Sequence, residues 1–360
     1  MQVRTFFLSL ACAAALLGGA ATSRAENIRV EIVDNQRSVT VRSPAGLRID
    51  GESPHHHQRE VTFRAAGLGS APVRIGSGGA FLQVNGKTYR GVVEVRKKRN
   101  GLLLVINDLD LEDYLQGVVA AEIPHDWETE ALKAQAVASR TYAVHQKRHA
   151  GKRPYHIRAT VDSQMYIGMR GERPRTSQAL RETRGQVVLY GGEVIPAFYH
   201  SSCGGHTEDA GELWGIDEPY LKGVDCDCQL ISTYGLWEKR FSRVAVASAL
   251  QRQGYRLGDI GGIEIADLTS AGRVRDVRIR HTGGMTTIPA ERLRSMLGNS
   301  EVPSIFFEPE LIDGEVVLSG RGLGHGVGLC QWGAKELARR GLDYRAILRH
   351  YYPGTAIGVL

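Results

Sequence analysis

Leu111-Glu-Asp-Tyr-Leu115-Gln-Gly-Val118-Val-Ala-Ala-Glu122-Ile-Pro124 is the stretch in which a β-patterned chain turns helical. Leu111, Leu115, Val118 and Glu122 follow the i, i+4, i+7, i+11 spacing of one helix face, so a carboxylate shares its face with the core. A buried carboxyl with no cationic partner prefers the neutral form; its pKa rises and it can act as a general acid near neutral pH. Position alone also fits a structural reading. Glu122, at a helix end just before Pro124, can turn to solvent or cap the next helix at Asp126-Trp127-Glu128. Glu112 and Asp113 fall off the Glu122 face and are expected to be exposed.

Upstream of this stretch, residues 26 to about 107 read as short strands. Ile28, Val30 and Ile32 alternate with polar neighbours, as do Val39 and Val41, Val61 and Phe63, and Val73 and Ile75. Asn85-Gly86 and Asn100-Gly101 are hairpin turns between strand-like runs. The basic run Arg96-Lys97-Lys98-Arg99 reads as a solvated hairpin tip, and His55-His56-His57 as a polar loop. Downstream, a second helix is expected from an Asp126 N-cap through Ala131-Leu-Lys-Ala-Gln135-Ala-Val-Ala-Ser-Arg140-Thr-Tyr-Ala-Val144. Alanine on nearly every face lets neighbouring backbones come close, which makes this the central helix. Its polar residues Gln135, Ser139 and Arg140 are candidates for the wall of a site, or Arg140 pairs with an acid and fixes the helix.

Beyond the helix, strands are expected over Gln186 to Leu189 and Val194 to Tyr199 with Gly191-Gly192 at the turn. A further α/β portion spans about 236–310: a helix from Ser242 to Gln253, strands near Ile263 to Leu268 and Val274 to Arg280, and a helix opened by Pro289. In Gly320-Arg-Gly-Leu-Gly-His325-Gly-Val-Gly-Leu-Cys330-Gln331-Trp332-Gly333 the alternating glycines predict a strand with one bare face, open to another backbone or a flat ligand. Val327 stands where a dinucleotide fingerprint needs glycine, which disfavours phosphate binding. His325, Gln331 and Trp332 are the groups this surface can offer a sugar. Against that stands the ordinary role of a strand histidine as a hydrogen-bonded structural residue. The architecture expected is α+β: a β-rich module over 26–107, then a mixed region over 108–360 built around the alanine-rich helix.

Residues 1–25 read as a secretory signal: Arg4, an apolar run from Phe6 to Leu17, then small residues ending Ser23-Arg24-Ala25. The run is too short to span a bilayer. The expected destination is the periplasm or cell envelope, with no stable membrane span once the signal is removed. Loss of Arg4 and Arg24 with the signal takes the net charge from +6 to +4, a mild excess that suits anionic envelope polymers and does not call for nucleic acid. Four cysteines remain: Cys203, Cys226, Cys228 and Cys330. With His200 and His206 near them, three readings stay open for Cys203, Cys226 and Cys228: a disulfide from Cys203 to either partner, a structural zinc among His200, Cys203, His206, Cys226 and Cys228, or free thiols. Cys330 reads as a buried free thiol.

Four segments then read together: Asp113 to Pro124, Glu130 to Ala143, Tyr199-His-Ser-Ser-Cys-Gly-Gly-His-Thr-Glu208, and Gly320 to Ala334. In this order the chain from about 105 to 360 resembles the stage II sporulation protein D family, which includes the LytB amidase enhancers. The resemblance implies an exported peptidoglycan-remodelling protein, and its sporulation member implies a lytic transglycosylase acting on glycan stripped of stem peptides. It places the family's catalytic glutamate on Glu122, with Gln135, Arg140, Gln164, Tyr166, Ser201, Ser202, His206, Thr207, His325 and Gln331 as candidate substrate contacts. One carboxyl suffices for that chemistry, and no cofactor is required. Some relatives resemble zinc proteins through cysteine and histidine near the segment matching Asp162 to Tyr166; this chain has neither there. Two further functional readings remain: a noncatalytic glycan-binding enhancer of a cell-wall amidase, and a zinc amidase using His200 and His206.

Overall fold

The computed structural model describes residues 26–50, 58–79 and 81–360; the signal segment and the His55-His56-His57 loop lie outside the described residues. The fold is α+β. The alternating strands build two sheets. One runs in the order Ile157–Arg158, Asn27–Gln36, Leu103–Asp110, Val92–Lys97, Val73–Ser77, Leu47–Ile49, and the other Glu60–Arg64, Ser38–Arg42, Leu82–Val84, Lys87–Tyr89. Asn85 at φ 47° and Gly86 at φ 81° supply the two left-handed residues that a tight hairpin between Leu82–Val84 and Lys87–Tyr89 needs.

Asp110 closes the strand Leu103–Asp110 and opens helix α1 (Leu111–Glu122), its carboxylate accepting the Glu112 N–H at 2.8 Å. Leu111, Tyr114, Leu115, Val118 and Val119 are buried in one core with Val30, Ile75, Val93 and Val105 of the sheet. A single apolar core therefore runs across residue 107. Contact is close at Gly117, where an added Cβ would meet the Tyr166 ring at 2.6 Å.

Helix α2 (Thr129–Arg148) starts later than the Asp126 cap predicts. Its N-cap is Glu128, because Trp127 is drawn into a cluster with Ile123, Leu132 and Ala179 and leaves Asp126 exposed on the turn. Ala136, Tyr142, Ala143 and Val144 face the first core, while Ala134, Val137 and Ala138 face a second core made by helices farther along the chain. The helices after α2 are α3 (Pro174–Glu182), α4 (Ala210–Trp214), α5 (Arg243–Gln251), α6 (Ala290–Leu297), α7 (Gln331–Arg339) and α8 (Tyr344–Tyr351), of which α4, α7 and α8 contribute to the second core.

Three expectations are corrected by this packing. Glu112 is half-buried, not exposed: it takes the Arg140 guanidinium bidentately at 2.7 and 2.8 Å and accepts the Gly185 N–H at 3.2 Å. The strand expected over Val194 to Tyr199 is interrupted around Pro196, which has no N–H to give a ladder, so Tyr199–His200 pairs instead in parallel with Leu329–Cys330. The glycine run is not a regular strand. Gly322, Gly324, Gly326 and Gly328 all have positive φ, and a Cβ at Gly328 would meet the Phe198 carbonyl at 2.2 Å. The bare face is therefore filled by backbone rather than left open to a flat ligand.

The 236–310 portion holds the expected helices as α5 and α6, and strands Ile260–Leu268 and Val274–His281. With Trp237–Ser242, Phe307–Ile312 and Glu315–Gly320 it encloses a third core. A buried ion pair ties it to the rest: Arg273 reaches Glu208 at 3.4 Å and donates to the carbonyls of Cys203 and His206 at 2.7 and 2.9 Å.

Removing one member of a buried, bidentate pair leaves the other charge unpaired, at about 3–5 kcal/mol. Arg140→Ala is therefore expected to lower unfolding stability by about that amount, and Arg140→Lys to recover little of it, since an ammonium cannot span both carboxylate oxygens. Urea denaturation of the two variants measures this.

Candidate active site at the end of the first helix

Glu122 is the last residue of α1; the Ile123 N–H still reaches the Val119 carbonyl at 3.1 Å, and Pro124 follows. The segment after Ile157–Arg158 crosses this end, and the Met165 N–H donates to Glu122 Oε1 at 2.7 Å. The Tyr199 hydroxyl also hydrogen-bonds the carboxyl. Glu122 forms no ion pair among the described residues. Burial raises its pKa to about 7, against the opposing pull of the Met165 and Tyr199 hydrogen bonds. The side chain as a whole keeps some exposure, so the carboxyl is desolvated yet reachable.

Tyrosines enclose it. Burial and the Glu122 charge push the Tyr114 and Tyr199 hydroxyls well above their usual range and raise Tyr142 too, so all three remain proton donors. Behind them lies a chain of hydrogen bonds. Gln164 donates to the Tyr199 hydroxyl at 3.0 Å and to the Ser139 carbonyl at 3.2 Å, and accepts the Tyr114 hydroxyl at 3.0 Å. Gln135 donates to Ser139 Oγ at 3.0 Å and accepts from Gln331 at 3.3 Å. Trp127 and Trp332 pair at 5.0 Å in the cluster that holds Ile123, with Lys335 over both rings. Ile123 thus sets an aromatic surface directly beside Glu122.

Most of the residues read from sequence as substrate contacts have other work. Gln135, Gln164 and Gln331 are buried with their amides engaged in the network, and Gln164 holds the Tyr199 hydroxyl directly. Arg140 is fully buried on Glu112 and the Gln186 carbonyl, the pairing role named as its alternative. Tyr166 is buried between Tyr114 and Tyr89 and donates to Asn107 at 2.9 Å, joining α1 to the sheet. Ser202 points at Cys228, while Thr207 clips Val224 and His206 contacts the Thr207 carbonyl and Asp225. Ser201 is half-exposed, its carbonyl taking the Trp332 N–H at 3.0 Å. His325 accepts the Val327 N–H at 3.1 Å on Nδ1 and so donates from Nε2 to the Tyr199 carbonyl at 3.0 Å. Burial holds it down to about 4, so it is neutral and structural.

Sequence reasoning missed Tyr114 and Tyr142 as neighbours of Glu122. Tyr114, Val118 and Glu122 recur every four residues, a signal available beside the leucine spacing. A pocket of about 580 Å³ lies elsewhere, against Trp237, Phe306 and Arg321. Its two carboxylates, Glu238 and Glu308, are at exposed positions, so the poised acid is the one at Glu122.

The candidate site is thus a half-buried glutamic acid at a helix end, with tyrosines around it, in an α+β scaffold. The stage II sporulation protein profile matches residues 99–190, and a domain of unknown function matches 221–328. The chain is 35% identical over 262 residues to an uncharacterised protein of Brachyspira hyodysenteriae, covering 72% of this chain and 69% of that one. It is 29% identical over 267 residues to stage II sporulation protein D of Bacillus subtilis, covering 70% and 75%. It is 31% identical over 288 residues to the amidase enhancer of the same organism, covering 68% of this chain but 40% of that relative. The chain belongs to the stage II sporulation protein D and LytB amidase-enhancer family.

Because the folded-state pKa of Glu122 lies above the ordinary carboxylate value, the folded chain keeps a proton that the unfolded chain has lost between pH 4.5 and about 7. Its contribution to stability therefore falls as pH rises through that window. Glu122→Gln removes the dependence, and by calorimetry the variant should gain more in Tm over the parent at about pH 8 than at about pH 5.

Proposed function

We propose that the protein is an exported lytic transglycosylase that cleaves the bond between N-acetylmuramic acid and N-acetylglucosamine in peptidoglycan strands. The observation that carries this is the single carboxyl of Glu122, raised to about 7 and free of a cationic partner. Protonated Glu122 donates to the glycosidic oxygen as the bond to the muramic C1 breaks. The carboxylate so formed takes the proton from the C6 hydroxyl of the same sugar as that oxygen closes on C1, giving a 1,6-anhydro end. No water enters, so the paired carboxylates of a hydrolase are not needed. Of the other two carboxylates on the helix, Glu112 is committed to Arg140 and Asp113 is exposed. Trp332, half-exposed beside Ile123, offers an apolar face for a pyranose ring. Strands stripped of stem peptides suit a site flanked by tryptophans.

The likeness to an amidase enhancer supports a second reading, in which the same surface binds glycan and stimulates a cell-wall amidase without cleaving. Mass spectrometry of peptide-free strands incubated with the protein separates the two. Anhydro-muramyl ends are expected, with turnover lost about 100-fold or more in Glu122→Gln while strand binding persists. Intact strands, with amidase stimulation retained in Glu122→Gln, would support the enhancer instead.

The pH profile gives an independent check. Activity limited by protonated Glu122 falls as pH rises through about 7. Tyr199→Phe removes a hydrogen bond that lowers this pKa, so the falling limb should move to higher pH.

A further inference from the structure

The Sγ atoms of Cys203, Cys226, Cys228 and Cys330 all lie within 4.8 Å of one another, and all four side chains are buried. Cys203 and Cys228 are 3.3 Å apart. Ligands at about 2.3 Å from a tetrahedral zinc stand about 3.8 Å from each other, within the range seen here. A polynuclear iron–sulfur core sits between its cysteines and needs a wider opening.

Hydrogen-bond donors surround the sulfurs, beside one contact from Cys330 Sγ to the Ser201 carbonyl. The Cys203 and Gly333 N–H groups donate to Cys330 Sγ at 3.3 and 3.4 Å. The Ser202 hydroxyl donates to Cys228 Sγ at 3.6 Å, and the Tyr351 hydroxyl lies 3.2 Å from Cys226 Sγ. Donors of this kind stabilise metal-bound sulfur and fix its orientation. A pocket of about 150 Å³ lined by Cys226, Gly333 and His350 leads to the cluster from the surface.

We infer that Cys203, Cys226, Cys228 and Cys330 form a tetrathiolate site for one structural zinc ion. Binding converts four thiols to thiolates and releases four protons, with no change of oxidation state. This site differs from the histidine-containing set expected from sequence. Cys330 completes it, His200 gives its Nδ1 to the Val327 carbonyl, and His206 gives its own to Thr207. Zinc here joins the loop after Tyr199–His200 to the start of α7, fastening the strand that carries Tyr199 to the helix that carries Gln331.

The test is metal analysis of the purified full chain together with thiol counting after unfolding in chelator. About one zinc per chain and four reactive thiols are expected. Cys330→Ser should lose the zinc, whereas His200→Ala and His206→Ala should keep it. Since a cysteine variant can fail to fold, cobalt is exchanged into the parent protein. Strong thiolate-to-cobalt charge transfer with tetrahedral ligand-field bands is then the supporting spectrum. Two disulfides with no metal, stoichiometric iron, or zinc that disappears with His206→Ala would each overturn the assignment. None of these readouts depends on Glu122 or on turnover.

Discussion

A helix buried on both sides must find partners for most of the polar groups it carries, and α2 is such a helix. Its apolar positions are mostly alanine, which lets neighbouring elements approach; its polar positions must then find partners on those elements. Arg140 takes Glu112 from α1, Thr141 donates to Val137 and accepts from Val188, Ser139 receives Gln164, and Gln135 receives Gln331. Apart from the bond from Thr141 to Val137, which stays within α2, each fixes a different segment against the same rod. Together they hold the surroundings of Glu122, which lies at the far end of the helix that Arg140 anchors.

The proton affinity of Glu122 follows from this scaffold rather than from a charged neighbour. Burial raises it, and two donors, one backbone and one phenolic, restrain the rise. Both donors are themselves held: Met165 lies next to Gln164, and Tyr199 is gripped through its hydroxyl by Gln164 and through its carbonyl by His325. The third core, enclosed by the 236–310 portion and its neighbouring strands, is joined to this arrangement through the Glu208 and Arg273 pair and the backbone around Cys203.

What the sequence made legible was local and periodic. The spacing of Leu111, Leu115, Val118 and Glu122 yields the helix and the buried carboxyl; Asn85-Gly86 yields its hairpin; the alanine run yields the central helix. Interactions between distant segments were out of reach. Nothing near Cys330 in the chain announces Cys203, which meets it across 127 residues. Arg140 reads equally as a ligand contact or a structural cation until its partner is placed. The alternating glycines have the period of a strand, but positive φ at each of Gly322, Gly324, Gly326 and Gly328 bends the run away from one. Only the packing of Phe198 and His200 against it shows why no side chain fits there.

The parallel pairing of Tyr199–His200 with Leu329–Cys330 has a consequence for the order in which the molecule is made. The loop that this pairing closes is long, so its entropic cost is met late, after the locally encoded sheets and helices exist. A chain emerging N-terminus first can assemble α1 and present Glu122 well before Leu329 and His325 arrive to hold Tyr199. The partly made protein has the acid without its second donor. The surroundings of Glu122 are thus complete only once two segments far apart in the chain have paired.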